Sequence, residues 1–310
     1  MSDDVFRLVT RSDFDGLVCA VLFKELEMID DIKFVHPKDM QDGTILIADT
    51  DITTNLPYVR GVHLAFDHHA SELIRLDKKP DNYIVEAEAP SAARVVYDYY
   101  GGKDRFPDVS TDLMEAVDKG DSAQFSKDEI LDPQGWVLLS FLMDSRTGLG
   151  RFRDFRISNY DLMMDLIEEC RTKSIDEILA ISDVKERVEL YNEHHDAFKE
   201  QLKRCTTVHK NLGVVDLRDE EIIRPGNRFM VYALYPEINI SMHFIWGMQK
   251  LNTAIPVGKS IINKTSKTNI GALMLEYGGG GHENAGTCQV ENEEAEQVRD
   301  ELIERITADG

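Results

Sequence analysis

"VFRLVTRSDFDGLVCAVLFKELEMI", residues 5–29, decides how the first part of this chain folds. A short apolar run, 5–10, stops at two aspartates with one residue between them, and a longer apolar stretch opens at Gly16. A short, continuously apolar run reads as a strand buried on both faces, and the stretch 16–29 is long enough for a helix. Asp13 and Asp15 therefore stand where a strand hands over to its helix. Carboxylates this close repel one another, and a cation held beside them offsets the cost.

The alternation continues outward from there. "KFVHP", "TILIAD" (44–49) and "VHLAF" (62–66) read as further strands. "APSAARVVYDYYG" reads as a helix with Ser91 as N-cap and Gly101 as its stop. Apolar strands separated by helices imply a parallel sheet covered on both faces. From about 136 to 206 the pattern turns helical, through "NYDLMMDLIEEC" and a charged amphipathic helix over roughly 183–205. From 212 strand signals return in "LGVVDL", "RFMVYALY", "INISMHFIWGM" and "NTAIPVGKSII". A helix in "NIGALMLEY" and a last amphipathic helix over 293–307 follow. The expected fold class is α/β in two lobes. A parallel-sheet domain over 1–135 is joined by a helical connector, 136–208, to a smaller α/β domain, 209–310.

Among the 310 residues, 57 Asp and Glu against 35 Lys and Arg give a net charge of −22, which repels long duplex nucleic acid and leaves a small anion in a locally positive or metal-filled cleft as the compatible ligand. No apolar run approaches a membrane span, and "MSDDVF" lacks the features of a leader. The four cysteines, Cys19, Cys170, Cys205 and Cys288, have no paired spacing, which fits a reduced cytoplasmic protein without a zinc or disulfide framework. A homodimer is compatible with this composition.

Four stations carry candidate chemistry. Asp13 and Asp15 form the first, Asp49 at the end of "TILIAD" the second, and Asp67, His68 and His69 after "VHLAF" the third. Strand C-terminal ends line the ligand crevice of an open parallel sheet, so these three converge on one rim. Asp118 and Asp121 in "AVDKGDSA" are the fourth. Mixed carboxylate and imidazole donors suit Mn²⁺, with Mg²⁺ or another divalent ion as alternatives. Taken alone, each station has an ordinary explanation: a D-x-D after a strand is often a turn or cap. "EHHD", with His194 and His195 in the long charged helix, reads as a solvated face.

With Asp67-His68-His69 in that order, the chain resembles the DHH phosphoesterase superfamily over 5–125. "GGGGHENAG" (278–286) resembles the signature of the DHH-associated substrate domain. The resemblance implies that Asp13, Asp15, Asp49, His68 and one of Asp118 and Asp121 hold one or two ions, and that His69 approaches the scissile phosphate with Asp67 orienting the histidine pair. It places Gly279, Gly280, Gly281, His282 and Asn284 against the substrate, with Ser260 and Lys264 where relatives put a serine and an arginine. Arg151, Arg153 and Arg156 either add positive potential near the cleft or form a solvated face.

Position 11 departs from the family, whose first motif begins with His or Asp. Arg11 stays protonated and cannot ligate a cation. Either it turns away from two ions, or its guanidinium occupies the first ion's place, or hydrolysis has been lost. The expected function is a metal-dependent phosphoesterase acting through activated water on a small phosphodiester, such as a short oligonucleotide, dinucleotide or nucleoside bisphosphate. Exopolyphosphatase activity is one alternative. A non-catalytic sensor of phosphorylated ligands with a degraded metal site is the other.

Overall fold

The computed structural model describes residues 5–69, 78–152 and 154–310. They form two compact units. One takes in the chain up to 124 with 134–145 and 149–189; the other comprises 125–133, 146–148 and 190–310. The expected connector is thus divided between them at 189.

The first unit is built on five strands among the described residues: β1 (Phe6–Arg11), β2 (Ile29–Val35), β3 (Asp51–Thr54), β4 (Leu64–Asp67) and β5 (Tyr83–Val85). Their order is β2-β1-β3-β4-β5 and every pairing is parallel. All C-terminal ends therefore open onto one rim. The helix Phe14–Glu25 buries every residue from Phe14 to Phe23 and packs against the helices Ala92–Tyr99, Thr111–Asp121 and Asn159–Thr172. A helix apolar on all sides belongs in the core rather than on a surface.

"TILIAD" does not form the expected strand. The third strand begins at Asp51, whose carboxylate takes Arg7 Nε and Nη2, each at 2.8 Å, and the Ala48 amide at 2.7 Å. That clamp on β1 sets the register Arg7↔Asp51 through Thr10↔Thr54. Ile45 and Ile47 still pack on Val9, Val35, Met40 and Leu56. Their apolar signal reports a core contact rather than a strand.

The second unit holds β6 (Thr206–His209), β7 (Leu212–Asp216), β8 (Ile240–Trp246), β9 (Thr253–Lys259), β10 (Gly280–His282) and β11 (Ala285–Val290), in the order β10-β11-β9-β8-β7-β6. Only β7 and β8 pair in parallel. The helices Ile270–Glu276 and Ala295–Asp309 bring Met274, Leu302 and Ile306 onto Met242, Phe244 and Ile255. "RFMVYALY" folds as the helix Met230–Leu234 instead of a strand, with Met230, Val231, Tyr232 and Ala233 buried. Its apolar residues run consecutively without alternation, and such a run does not discriminate helix from strand. His194, expected at a solvated face, is 8% exposed and has Arg224 Nη1 3.2 Å from its Nδ1. Among the described residues no helix is long and apolar enough to cross a membrane.

Candidate metal centre

Asp13 ends the turn out of β1 as the N-cap of the helix Phe14–Glu25, accepting the Gly16 amide at 3.0 Å. Gly16 has no substitute here, because a Cβ would lie 2.0 Å from the Arg11 carbonyl oxygen and 2.7 Å from Thr10 Oγ1. The tight turn that needs this glycine carries Asp15 inward. Asp15 is 2% exposed, and its oxygens accept the amides of Ala92 and Ala93 at 3.0 and 2.8 Å. Those amides are the first of the helix Ala92–Tyr99, whose N-cap is Ser91 as the sequence indicated. A helix N-terminus favours negative charge.

β4 ends at Asp67, 1% exposed, and its carboxylate is fully engaged. Oδ1 accepts the amides of His68 and His69 at 2.8 and 3.2 Å and His69 Nδ1 at 2.8 Å, while Oδ2 accepts the Tyr83 hydroxyl at 2.9 Å. With Nδ1 committed as the donor, chemistry at His69 runs through Nε2. The two imidazoles meet edge to face with centroids 4.3 Å apart.

His68 turns the other way. Its Nδ1 lies 3.2 Å from the Ala89 carbonyl oxygen, an arrangement in which Nδ1 donates and Nε2 is left to face Asp121; loss of the Nε2 proton would free its lone pair for a cation. That Nε2 is buried, stands 2.8 Å from Asp121 Oδ2, and makes no aligned hydrogen bond. Burial disfavours the charged imidazole, but contact with Asp121 and the charges of Asp121, Asp15 and Asp67 overturn this and raise it to about 9. Burial and the neighbouring Asp121 push Asp15 well above the usual carboxylate range, against the pull of His68. Burial would raise Asp121 too, but contact with His68 holds it below that range, with the charges of His69 and Arg11 adding. Asp121 also sits in the last turn of the helix Thr111–Asp121, where the helix dipole opposes an anion. A cation relieves all three groups at once.

Asp15, His68 and Asp121 can each offer one ligand atom with all three within 4.8 Å of one another. Asp67, His68 and His69 meet the same distance test, but Asp67 Oδ1 already accepts three hydrogen bonds and Oδ2 accepts the Tyr83 hydroxyl. Asp118 is not brought into either group. Its Oδ1 accepts Ser91 Oγ at 2.8 Å and its Oδ2 accepts Arg94 Nε and Nη2 at 3.0 and 2.6 Å.

Asp49 is likewise apart from the cluster. It is exposed in the turn preceding β3, at the end of that strand opposite the rim. The rim end of β3 carries Asn55 instead, which sequence reasoning missed. Asn55 is 2% exposed with φ of 54°, its Nδ2 lies 3.4 and 3.5 Å from the Asp13 oxygens, and its Oδ1 has no partner. An Asn closing the β-branched run "DITT" was the available signal, since Asn tolerates the left-handed backbone that ends a strand abruptly. Arg11 Nε pairs with Asp13 Oδ2 at 2.8 Å.

In the second unit, Gly279 and Gly281 are required by the fold. A Cβ on either would lie 2.2 or 2.3 Å from the carbonyl oxygen of Thr287 or Ala285 across the hairpin. Gly280 has nothing within 4 Å of such a position. His282 and Asn284 are exposed at the turn of the hairpin. Ser260 is buried and shapes its own turn, its Oγ accepting the amides of Ile262 and Asn263 at 3.1 and 3.0 Å, while Lys264 is exposed. Arg156 pairs with Asp183, and Arg153 lies outside the described residues.

The pGpG-specific phosphodiesterase PggH from Vibrio cholerae is 60% identical, covering 98% of this chain and 100% of that one, with a TM-score of 0.87. RecJ from Thermus thermophilus, solved in complex with Mn²⁺, is 13% identical over 97% of this chain and 52% of its own, with a TM-score of 0.56. CDC45 from Entamoeba histolytica is 9% identical over 98% and 95%, with a TM-score of 0.50. The last two show the fold alone. No family model matches the chain, and a search of curated proteins finds no match. The fold and the 60% identical relative define a phosphoester hydrolase. The chain belongs to the DHH phosphoesterase superfamily.

Proposed function

We propose that this chain hydrolyses a small linear phosphodiester, a 5′-phosphorylated dinucleotide of the pGpG kind, using a divalent ion held by Asp15, His68 and Asp121. One observation carries the ion: a buried imidazole nitrogen, His68 Nε2, without an aligned hydrogen bond and facing a carboxylate 2.8 Å away. The donor set fits a divalent ion of the Mn²⁺ or Mg²⁺ class, since it mixes carboxylate oxygens with one imidazole. The substrate class follows from the specificity carried in the name of the 60% identical relative.

Such an ion lowers the pKa of a water and stabilises charge on a phosphoryl oxygen. The residues do the rest. The Ala89 carbonyl fixes the His68 ring so that Nε2 faces Asp121. The Ala92 and Ala93 amides hold Asp15 in place, so little reorganisation accompanies binding. Asp67, braced by Tyr83, holds His69 Nδ1 so that Nε2 is the nitrogen left to donate to a phosphoryl oxygen when protonated, or to accept a proton from water when neutral. We place the protein in the cytoplasm on its unpaired cysteines and acidic surface.

The test is Mn²⁺-supplemented hydrolysis of pGpG, pAp-type bisphosphate, polyphosphate and pyrophosphate. Wild type cleaves the dinucleotide best, and His68→Ala and Asp121→Asn each lose at least about 10²-fold in kcat while unfolding at wild-type denaturant concentrations. Preference for polyphosphate favours the exopolyphosphatase alternative. Tight dinucleotide binding without turnover favours the sensor.

A further inference from the structure

We infer that the centre holds one divalent ion per chain and that the Arg11 guanidinium, clamped by Asp13 and backed by Asn55, takes the place of a second. This rests on the reading of Asp15, His68 and Asp121 as ion ligands.

The rim has two halves of unlike character. In one, three potential ligand atoms crowd together and a buried nitrogen lacks an aligned partner. In the other, Asp13 is already satisfied by donors. The Gly16 amide and Asn55 Nδ2 approach Oδ1 at 3.0 and 3.4 Å, and Arg11 Nε meets Oδ2 at 2.8 Å. An ion bound there would have to displace a guanidinium from a charge-assisted contact. It would then find, at the rim end of β3, a neutral amide in place of a carboxylate. Asn55 cannot neutralise a second dication, and its Nδ2 turned toward Asp13 presents protons rather than lone pairs.

Arg11 is suited to the part. Among the described residues only its Nε is spent on a protein partner, and its side chain is 32% exposed. Both Nη groups therefore remain to donate to a ligand's phosphoryl oxygens in the fork geometry that a guanidinium provides and an ammonium lacks. Asn55 Oδ1 is buried without a hydrogen-bond partner on the residue whose Nδ2 faces Asp13, so a carboxylate at this position would add a second anionic group beside Asp13.

The experiment is a Mn²⁺ titration of the full-length chain by calorimetry, with electron paramagnetic resonance on the loaded protein. Wild type takes up one Mn²⁺ per chain and shows the spectrum of an isolated ion. The double variant Arg11→His, Asn55→Asp takes up two and shows spin coupling between them. Two coupled ions in wild type overturn the inference and leave the proposed function standing. A folded double variant that still binds one ion also overturns it. No Mn²⁺ bound by wild type, together with unchanged dinucleotide cleavage in Asp121→Asn, overturns both. The wild-type count decides the matter even if the double variant does not fold.

Discussion

Asp118 and Asp121 lie on one turn of one helix and have opposite surroundings. Asp118 is spent on Ser91 and Arg94, so it ties the helix Ala92–Tyr99 to the helix Thr111–Asp121. Asp121 instead faces the buried His68 Nε2 at 2.8 Å. Asp118→Asn should therefore lower stability by about 1–3 kcal/mol, as expected for a hydrogen-bonded charge pair that loses one partner. It should leave Mn²⁺ uptake intact, whereas Asp121→Asn should abolish uptake with a smaller effect on folding. Calorimetric titration and urea unfolding of the two variants check this; equal loss of Mn²⁺ in both would remove the distinction. The sequence could name the pair but not choose within it, because the choice depends on which carboxylate finds Arg94. Asp67, His68 and His69 could be placed on the rim from sequence because an acidic residue and two adjacent histidines close one apolar strand. Asn55 was missed, since its one signal, an Asn closing "DITT", marks a strand end and not a site.

At the level of elements, the parallel sheet and its rim could be read from alternating apolar runs, while individual boundaries could not. The Arg7–Asp51 clamp moves the third strand past "TILIAD", and that shift takes Asp49 away from the rim and leaves Asn55 on it. A side-chain pair 44 residues apart in sequence decides this, and no local pattern contains it. The glycines make a sharper comparison. Gly16→Ala puts a methyl group against the Arg11 carbonyl, which belongs to the backbone and cannot swing aside. It should cost about 1–3 kcal/mol or more and displace Asp13 and Asp15 together. Gly280→Ala meets open space and should leave the unfolding midpoint unchanged. A KM for pGpG that rises with kcat little altered would show that this hairpin meets the substrate. Unchanged kinetics in a folded Gly280→Ala would show that the run serves only the hairpin, as Gly279 and Gly281 already do.

At the scale of the whole molecule, net charge of −22 keeps long polyanions away while the rim concentrates what cation there is. Stability against acid has an identifiable contributor in the second unit. Burial pushes His243 on β8 from 6.5 down to about 4. Between those values the unfolded chain takes up a proton that the folded chain refuses, so stability falls as pH drops through this window and is unaffected above it. Urea midpoints at pH 7 and pH 4.5 should show wild type losing more than His243→Gln; equal losses would exclude His243 as the cause. The three groups proposed as ion ligands come from positions 15, 68 and 121, on a strand-to-helix turn, a strand end and a helix end. On that proposal, a fragment of this polypeptide that stops short of Asp121 lacks one of the ligands and should bind a divalent ion weakly. Uptake of the ion during refolding would thus time the moment at which the five strands and their covering layer have all found their places.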